Sequence, residues 1–407
     1  MSTKHRVAIL GFGVVGGGVA ELITNNAAEL RTYLGCEVEI ARILDLRDFP
    51  DSPFSALVTH DFGDILADES IDTVIEVMGG THPAYEYTCA ALVAGKNVIT
   101  SNKEVVARHG DTFVRLAAEN GVSYRFEAAV GGGIPVIAPL TSSVRQNKMI
   151  EVRGILNGTT NYILTKMFTY GEDFDSALRD AQARGYAEAN PDADVKGIDA
   201  ARKITILTAL AADILPEVED VYTEGITGIR AEDVKFAESI GHEIKLLGRC
   251  IVRGGDPIVC VAPFLIPKGS PLASVSGVYN AVEVIAEPLG NVMFYGQGAG
   301  AGATASAVIG DLIPIVAGGG IDTILPGFNR SEKSVKDNFL DLESRYYIST
   351  YIGEEARFAE AFGEASFYPA DGLAVLTPRM TEGEFRERLA SLGEDAHGLI
   401  KSVIRFI

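Results

Sequence analysis

Basic residues are scarce in this 407-residue chain, which carries 35 lysines and arginines against 55 aspartates and glutamates. The formal net charge is -20 at pH 7 with histidine taken as neutral. A general nucleic-acid binder needs a basic face that releases counterions from the phosphate backbone, so the charge argues against that class. It does not argue against a small anionic ligand, because such a ligand needs only a local positive site.

Cysteine is also rare, and the four cysteines are scattered with no CxxC pair. We interpret Cys36, Cys89, Cys250 and Cys260 as reduced, mostly buried thiols of a cytosolic protein. The N-terminal MSTKHRVAILGFG lacks the apolar core of a secretory signal, and no apolar run looks long enough to cross a bilayer. These absences predict a cytoplasmic protein without a membrane partner. The length predicts two or three domains, and no internal repeat is evident.

A glycine-rich turn near the N-terminus lies between an apolar run and a helical pattern. Arg6–Leu10 precedes GFGVVGGG, which leads into VAELITNNAAEL. Gly11, Gly13 and Gly16 fit the G-x-G-x-x-G pattern in its strand, turn and helix context. The first glycine permits the turn, the second lets a pyrophosphate approach the backbone, and the third lets the helix pack on its strand. The pattern predicts a dinucleotide site; the alternative is a glycine turn that binds nothing.

Apolar runs alternate with helical patterns over the first 130 residues. Further apolar runs are Val38–Leu46, Asp72–Met78, Asn97–Thr100 and Ser123–Val130, with helical segments such as Tyr85–Ala94 and Asp111–Asn120 between them. This alternation predicts an α/β fold with a parallel, doubly wound sheet of the Rossmann type. We assign this dinucleotide-binding domain to residues 1–130, completed by a buried helix at about 303–325.

Three predicted strand ends carry polar residues that suit a cofactor. The second strand ends at Asp45-Leu46-Arg47-Asp48, where an acid can bind a ribose hydroxyl and an arginine can accommodate a 2′-phosphate. Both types are present, so the choice between NAD and NADP stays open. Thr81 follows the third strand, and Ser101 and Lys103 follow the fourth. Ligands bind at the carboxyl ends of parallel strands, so we expect Thr81 and Lys103 to face the nicotinamide end.

The alternation changes after Gly131–Pro135. Predicted strands follow at Met149–Leu156, Ile244–Val252, Ile258–Ile266, Ala281–Ala286 and Val292–Tyr295, and predicted helices at Phe174–Arg184 and Lys203–Leu215. This pattern predicts an α+β domain with helices on one face of a mixed or antiparallel sheet. We assign residues 131–302 to a substrate and dimerisation domain, and residues 346–407 to a small C-terminal α/β appendage.

The densest charge cluster lies in Gly185–Leu207, directly before an apolar helical run. Asp199 and Lys203 are four residues apart and share a helix face, which by itself fits a surface ion pair. The apolar residues after Lys203 predict that its stem is buried. Two lysines and several carboxylates suit a substrate that is a zwitterion with a reactive carbonyl. Carboxylates would bind its ammonium, and a lysine would donate the proton that its oxygen needs after hydride transfer.

The chain resembles the homoserine dehydrogenases. The resemblance rests on the segments GFGVVGGGV, EVMGGTHPA, GKNVITSNKE, FEAAVGGGIPVI, LNGTTNYIL, GYAEANPDADVKGIDAARKI and GQGAGAGATASAVIGDL, which occur in order from about Val7 to Gly320. It implies NAD(P)-dependent interconversion of L-aspartate 4-semialdehyde and L-homoserine, on the route to threonine, methionine and isoleucine. It also implies a homodimer or homotetramer.

The resemblance also assigns roles to residues. Lys203 would be the proton donor and acceptor, Lys103 an essential partner at the same oxygen, and Glu188 the ligand of the substrate amino group. Asp194 and Asp199 would support Glu188. The implied cofactor-lining residues are Phe12, Val14, Val15, Thr81, Lys103 and Gly302. A structural monovalent cation, usually sodium, would be bound by Glu127 and the carbonyls of Val130, Gly132 and Ile134.

Two departures from the family bear on regulation. No aspartokinase domain precedes the glycine turn, so we expect a monofunctional enzyme. Many relatives end in an ACT domain, and residues 346–407 have its position and its VLTP and KSVIRFI runs. The expected Asp-x-Pro-Gly-Val-Leu-Ala turn is replaced by GEEARFAEAF, so we expect a dimerising or vestigial role rather than the binding of an effector such as threonine.

Three other classes of protein share some of these features. Sugar and inositol dehydrogenases also carry a lysine after the fourth strand, but typically as Glu-Lys-Pro rather than Asn102-Lys103-Glu104. A phosphorylating semialdehyde dehydrogenase needs a nucleophilic cysteine, and no cysteine here lies in a loop of catalytic character. A non-catalytic dinucleotide sensor would have no need for Lys203.

Overall fold

The computed structural model describes residues 4–254, 256–318, 328–331, 334–393 and 396–407. The strands are β1 (Lys4–Leu10), β2 (Glu37–Leu44), β3 (Val58–Thr59), β4 (Thr73–Glu76), β5 (Asn97–Thr100), β6 (Tyr124–Arg125), β7 (Lys148–Ile155), β8 (Tyr222–Thr223), β9 (His242–Ile251), β10 (Ile258–Pro267), β11 (Tyr279–Glu287), β12 (Gly290–Gln297), β13 (Glu343–Ser344), β14 (Tyr346–Thr350), β15 (Ser366–Ala370), β16 (Gly372–Leu376), β17 (Met380–Thr381) and β18 (Ser402–Phe406). The helices are α1 (Val14–Asn25), α2 (Ala27–Leu34), α3 (Phe62–Leu66), α4 (Ala84–Val93), α5 (Lys103–Asn120), α6 (Ile137–Pro139), α7 (Gly158–Tyr170), α8 (Phe174–Ala183), α9 (Asp192–Val195), α10 (Ile198–Ala212), α11 (Ala231–Ser239), α12 (Ala301–Gly318), α13 (Glu355–Phe362), α14 (Glu382–Ala390) and α15 (Ala396–Leu399).

The chain divides into two compact units, each built from three separate segments. The first unit comprises residues 1–147, 209–215 and 296–330, and the second comprises residues 148–208, 216–295 and 331–407. The predicted completing helix at about 303–325 lies in the third segment of the first unit, although residues 319–325 fall outside the described residues.

The first unit is built on a six-stranded sheet in the order β3-β2-β1-β4-β5-β6. All of its strand pairs are parallel, and the order is that of a doubly wound dinucleotide-binding fold. The central strands are continuous apolar runs because helices cover both faces of such a sheet. The Rossmann prediction is confirmed. The order reverses between β1 and β4, so their carboxyl ends form the crevice in which ligands bind.

The last strand of this sheet is shorter than predicted. The apolar run Ser123–Val130 gives only the two-residue β6, followed by a 3-10 turn at Glu127–Ala129. The turn is stabilised by the buried Glu127 carboxylate, whose oxygens accept hydrogen bonds from backbone N–H groups nine to eleven residues further along. An apolar pattern does not show such a side chain binding to the backbone, and this accounts for the overestimated length.

Helix α12 qualifies the expectation about membranes. It is the one helix among the described residues that is long and apolar enough, by length and composition alone, to cross a bilayer. The statement that no run reaches this length is therefore wrong. Its apolar side chains Ala305, Val308, Leu312 and Ile315 lie in the core of the first unit together with residues of β1 and α1. It also carries the buried Asp311, which accepts a hydrogen bond from a backbone N–H. These features are those of a core helix.

The second unit is built on a ten-stranded mixed sheet. Nine strands run in the order β12-β11-β7-β9-β10-β18-β14-β16-β15, and β8 pairs with β10. β7, β9, β10 and β11 form antiparallel pairs, whereas β10 pairs in parallel with β8 and β18. The predicted mixed sheet is confirmed. The same sheet continues into residues 346–407 with β18, β14, β16 and β15, whereas β17 pairs with β13 in a separate two-stranded sheet. The longer elements of residues 346–407 follow the order strand, helix, strand, strand, helix, strand.

Candidate active site

The glycine turn after β1 has the geometry that its pattern predicts. Gly11 has φ +93°, and a Cβ there would lie 3.0 Å from the Met78 Cα. A Cβ on Gly16 would lie 2.0 Å from the Gly11 carbonyl oxygen, so only glycine lets α1 pack against the turn. A Cβ on Gly13 would meet nothing within 4 Å. Gly13 also precedes α1 without a side-chain cap, which leaves the approach to the helix N-terminus open for a ligand.

The end of β2 carries an acid and an arginine that bind each other. The Asp45 carboxylate accepts hydrogen bonds from Arg47 Nε at 2.9 Å and from the Phe12 backbone N–H at 2.8 Å. The Arg47 hydrogen bond is the largest cause that lowers the pKa of Asp45 to about 2. The Arg47 side chain is 63% exposed, and its guanidinium lies 5.1 Å from the centre of the Phe49 ring. The exposed guanidinium is thus fixed at the rim of the crevice.

A cavity of about 470 Å³ opens beside this pair, and His60 contributes to its lining. The His60 ring contacts the Asp45 carbonyl oxygen at 2.7 Å and the Asp48 carboxylate at 3.1 Å. These two hydrogen bonds, the first the larger in effect, raise the pKa of His60 above its ordinary value. The cavity also contacts Gly11 and Gly13, so it continues the crevice from the glycine turn to the second strand.

The loops after β4 and β5 are joined by one asparagine. The Asn102 side chain donates to the Gly80 carbonyl oxygen at 2.8 Å and accepts from the Val105 N–H as the N-cap of α5. Helix α5 therefore begins at Lys103, eight residues before the predicted start. Thr81 and Ser101 lie in the two joined loops, and Lys103, which is predicted with Thr81 to face the nicotinamide end, begins α5 directly after the second loop.

A buried carboxyl supports these loops from below. Glu76, at the end of β4, accepts from the Thr100 hydroxyl at 2.6 Å and from the Met78 N–H at 2.9 Å. Burial raises the pKa of Glu76, and the two hydrogen bonds oppose that shift. The sequence alone assigns no function to Glu76, and its contacts hold the backbone of the two loops in place.

Gly302 lies in the first turn of α12, and that turn lies next to α1. A Cβ on Gly18 of α1 would lie 3.3 Å from the Ala301 carbonyl oxygen, so the two helices approach closely there. Val14 is exposed at the first position of α1, whereas Val15 and Phe12 pack in part against the core. Phe12, Val14 and Val15 thus belong to the glycine turn and the start of α1, and Gly302 lies in a turn that packs next to α1.

In the second unit, Lys203 is held by two acceptors. Its Nζ donates to the Asp199 carboxylate at 2.7 Å and to the Leu156 carbonyl oxygen at 2.7 Å. The side chains of Lys203 and Asp199 are only 9% and 8% exposed. The pair is therefore a buried ion pair and not the surface pair that the spacing alone suggests. Such a pair is stable only when its remaining polar atoms are also satisfied.

The side-chain amide of Asn157 donates a further hydrogen bond to the buried pair and also binds a second acid. The side-chain Nδ2 of Asn157 donates to Asp199 at 2.9 Å and to Asp194 at 2.7 Å. The side-chain Oδ1 of the same residue caps α7 by accepting from the Thr160 N–H at 2.8 Å. Asn157 follows β7, the Asp194 side chain comes from α9, and Asp199 and Lys203 come from α10. Two carboxylates from separate helices are thereby fixed around one amide, and one of them also binds Lys203.

Two glycines let α10 approach the sheet closely. A Cβ on Gly248 of β9 would lie 2.7 Å from a Leu156 methyl and 3.1 Å from the Ile204 Cβ. Gly197, with φ +83°, directly precedes α10 and lies against the side chains of Thr223 and Val261. This close packing buries the apolar side of the helix and holds Lys203 at the end of β7.

The other two acids of the segment lie at the surface. Asp192 pairs with Lys196 at 2.7 Å, and both side chains are more than half exposed. Glu188 is exposed, and its backbone carbonyl accepts from Gln182 Nε2 at 3.1 Å. Glu188 is thus not bonded to the Asp194, Asp199 and Lys203 group in any contact seen among the described residues. Lys103 belongs to the first unit and the group belongs to the second.

The predicted cation ligands lie in one loop of the first unit. The Glu127 carboxylate accepts from the N–H groups of Val136, Ile137 and Ala138 at 2.6 to 2.7 Å. Gly132 has φ +59°, and a Cβ there would lie 2.5 Å from the Gly298 carbonyl oxygen. Among the described residues, no group of three or more histidine, cysteine, aspartate or glutamate side chains could hold a metal ion. A cation here would depend mainly on backbone carbonyls.

Comparison with known proteins decides the family. The family model described as homoserine dehydrogenase matches residues 135–313, and the one for the homoserine dehydrogenase NAD binding domain matches residues 11–127. A homoserine dehydrogenase of Synechocystis is 39% identical over 99% of both chains. This chain belongs to the homoserine dehydrogenase family. It is an oxidoreductase with an NAD-binding domain, and the sensor and sugar dehydrogenase alternatives are set aside.

Solved homoserine dehydrogenases share the fold. The enzyme of Thiobacillus denitrificans superposes with a TM-score of 0.88 at 32% identity, covering 100% of this chain and 99% of that one. A hyperthermophilic archaeal homoserine dehydrogenase mutant in complex with NADPH has a TM-score of 0.66 at 27% identity, and covers 77% of this chain and 97% of its own. The agreement in fold extends over both units.

Sequence reasoning missed Asn157 as a part of this homoserine dehydrogenase site. The residue lies in the segment LNGTTNYIL, on which the family resemblance partly rests. An asparagine before a helix signals an N-cap, and that signal was available. The contacts to Asp194 and Asp199 were not, because they span 37 and 42 residues of chain.

Proposed function

We propose that Lys203 moves the proton when the enzyme interconverts L-aspartate 4-semialdehyde and L-homoserine. The observation that carries the proposal is the buried Lys203 ammonium, fixed between Asp199 and the Leu156 carbonyl at the end of β7. In aldehyde reduction the carbonyl carbon gains a hydride and its oxygen gains a proton from the Lys203 ammonium. In homoserine oxidation the neutral amine accepts the hydroxyl proton as the hydride leaves. The nicotinamide supplies or accepts that hydride when it is bound.

The acids of the segment have a separate role in this proposal. Glu188 binds the substrate ammonium, with Asp194 and Asp199 as supports, and the exposure of Glu188 suits a group that waits for a ligand. Lys103 assists at the substrate oxygen. Asn157 fixes both supporting acids, so they keep their positions when substrate binds. In this division Glu188 meets the substrate ammonium, and the two lysines meet the reacting oxygen.

For the cofactor, we propose binding across Gly11, Gly13 and Gly16 with acceptance of NADP as well as NAD. The pyrophosphate would lie at the N-terminus of α1, where a Cβ at Gly13 would be the first obstacle. The exposed guanidinium of Arg47, beside a cavity that His60 also lines, suits a 2′-phosphate. Asp45 holds that guanidinium and so does not need to bind the ribose directly.

We propose the remaining points on the resemblance together with the contacts above. Three backbone N–H groups use three of the roughly four acceptor positions of the Glu127 carboxylate, which leaves room for a sodium ion that also binds the carbonyls of Val130, Gly132 and Ile134. The enzyme would work in the cytoplasm, in the synthesis of threonine, methionine and isoleucine. It would form a homodimer or homotetramer, with residues 346–407 as an ACT-like, dimerising segment.

The test is a direct assay. Purified protein is mixed with L-homoserine and either NAD or NADP, and reduced nicotinamide is followed from neutral to alkaline pH. We expect turnover with at least one cofactor, and much slower turnover of the analogue that lacks the amino group, because Glu188 then has no ammonium to bind. Equal rates for the analogue would refute the assigned role of the acids, and no reduction with either cofactor would refute the proposed reaction.

A further inference from the structure

A buried charged group joins the C-terminal strand to the rest of the second unit. Arg405 of β18 is 3% exposed and donates twice to Glu382, at 2.8 and 2.9 Å. It also donates to Glu224 at 2.7 Å and to the Tyr222 hydroxyl at 3.2 Å. Its guanidinium lies 5.3 Å from the centre of the Phe339 ring. We name these five residues the arginine cluster; none of them has a role in the proposed chemistry.

The two carboxylates of the cluster depend on this arginine. Glu382 is 1% exposed. Burial would raise the pKa of Glu382, but the hydrogen bonds and charges of Arg405 and, to a smaller extent, Arg386 outweigh burial and lower it. Glu224 directly follows β8 and also accepts from the Tyr222 hydroxyl of that strand at 2.9 Å, so two neighbouring groups contact the same guanidinium. Removal of Arg405 would leave Glu382 with Arg386 and Glu224 with the Tyr222 hydroxyl, so both carboxylates would lose the cation that they share.

The segment that carries Glu224 lies directly against the loop of the proposed substrate site. A Cβ on Gly225 would lie 2.0 Å from the Val195 carbonyl oxygen, and the Ile226 N–H donates to the same oxygen at 2.9 Å. A Cβ on Gly197 would lie 3.1 Å from the Thr223 methyl. Residues 222–226 therefore pack directly against residues 194–199, and the close contact leaves no room for the two segments to shift independently.

Residues 222–226 thereby support Asp194 and Asp199, the two acids to which Asn157 donates hydrogen bonds. Asp194 directly precedes Val195, and Asp199 lies two residues after Gly197. A displacement of residues 222–226 would move the backbone of both acids, and with Asp199 the partner of Lys203. The contacts run without a break from β18 to the lysine, all within the second unit.

We propose that Arg405 is a positioning residue for homoserine oxidation, which holds residues 222–226 against residues 194–199 so that Asp194 and Asp199 keep their geometry. The inference rests on the proposed substrate role of Asp194, Asp199 and Lys203. It gives the C-terminal strand a part in substrate handling that needs no effector. Catalytic groups tolerate little misplacement, and a shift of about 1 Å from a distant change can cost about 100-fold in rate.

The experiment compares Arg405→Met, Arg405→Lys and Glu224→Gln with the wild-type enzyme. The matched control is Arg379→Met, which removes an exposed ion pair with Glu343 in the same C-terminal region. We expect kcat/KM for homoserine to fall roughly 10- to 100-fold in Arg405→Met and less in Arg405→Lys. The Kd of the reduced nicotinamide cofactor, measured by fluorescence, should stay within about twofold in every variant, because the glycine turn lies in the first unit.

Circular dichroism checks folding, and if Arg405→Met does not fold, Arg405→Lys and Glu224→Gln carry the test. Unchanged kinetics for homoserine in the folded variants would overturn the proposal. Parallel losses of homoserine turnover and cofactor binding would overturn it too, since they indicate general destabilisation. Full turnover by Lys203→Met would instead refute the proposed function and remove the basis of this inference, so the two failures are distinguishable.

Discussion

Replacement of Lys203 by methionine tests the central assignment, because methionine keeps most of the volume and removes the charge. The change deletes two charge-assisted hydrogen bonds of 2.7 Å and leaves Asp199 buried with Asn157 as a donor. Breaking a buried pair costs about 3–5 kcal/mol, and the remaining amide bond places the expected loss near the lower end. At roughly 2–4 °C per kcal/mol, the melting temperature of the second unit should fall by about 6–12 °C.

The kinetic effect should be larger than the effect on stability. Loss of a positioned proton donor lowers turnover by about 10²- to 10⁴-fold. The matched control is Lys196→Met in the same segment, where the pair with Asp192 is exposed and worth at most about 1 kcal/mol. The assay follows reduced nicotinamide with saturating homoserine below the melting temperature of each variant. Cofactor affinity is measured separately by fluorescence titration.

Three results would contradict this reasoning. Turnover of Lys203→Met within tenfold of the wild type would show that another group moves the proton, and Lys103 would be the next candidate. An equal loss in Lys196→Met would show that the segment responds to charge in general. Lost cofactor affinity in Lys203→Met would show that the assigned role of the lysine is wrong.

Three further predictions use other parts of the molecule. Gly13→Ala should fold normally but weaken cofactor binding by tenfold or more, whereas Gly16→Ala should destabilise the first unit; thermal unfolding and cofactor titration separate the two outcomes. Hydrogen bonds raise the pKa of His60, so the ring is protonated at low pH and loses that charge as pH rises through its pKa. We expect the charged ring to help Arg47 bind a 2′-phosphate, so KM for NADP relative to NAD should increase over that interval. His60→Gln should remove this pH dependence, and a dependence that persists in the variant would contradict phosphate binding by His60. Burial raises the pKa of Cys250 and Cys260 to about 12, so neither thiol should react with a disulfide reagent at pH 8 until the protein unfolds, and rapid labelling of either in the native enzyme would refute their burial.

The first unit could be predicted in detail because its signals are local. The glycine spacing, the alternation of strands and helices and the polar residues at strand ends are all readable within a few residues. The pairing of Asp199 with Lys203 was readable for the same reason, since both lie on one helix. The predicted start of α10 is five residues late because Asp199, Arg202 and Lys203 interrupt the apolar pattern, and the prediction followed the unbroken apolar run after them.

The rest depends on contacts that are distant in the chain. Nothing in the neighbourhood of Asn157 shows that its amide will meet two acids about 40 residues away. The sequence also does not show that β14, β15, β16 and β18 extend the sheet of the second unit, since this is set by the pairing of β10 with β18. Local patterns specify elements, whereas the assembly of a buried polar group is specified by tertiary packing.

The interleaved segments of the two units have a consequence for synthesis of the chain on the ribosome. The face of α1 that α12 covers stays exposed until about 300 residues have been made. The dinucleotide-binding unit therefore cannot finish folding when its first segment, residues 1–147, leaves the ribosome. Most of the second unit emerges before the first is complete. A fragment ending at residue 147 should expose apolar surface and aggregate, although the glycine turn is intact. The two units of this enzyme should therefore mature together, late in translation.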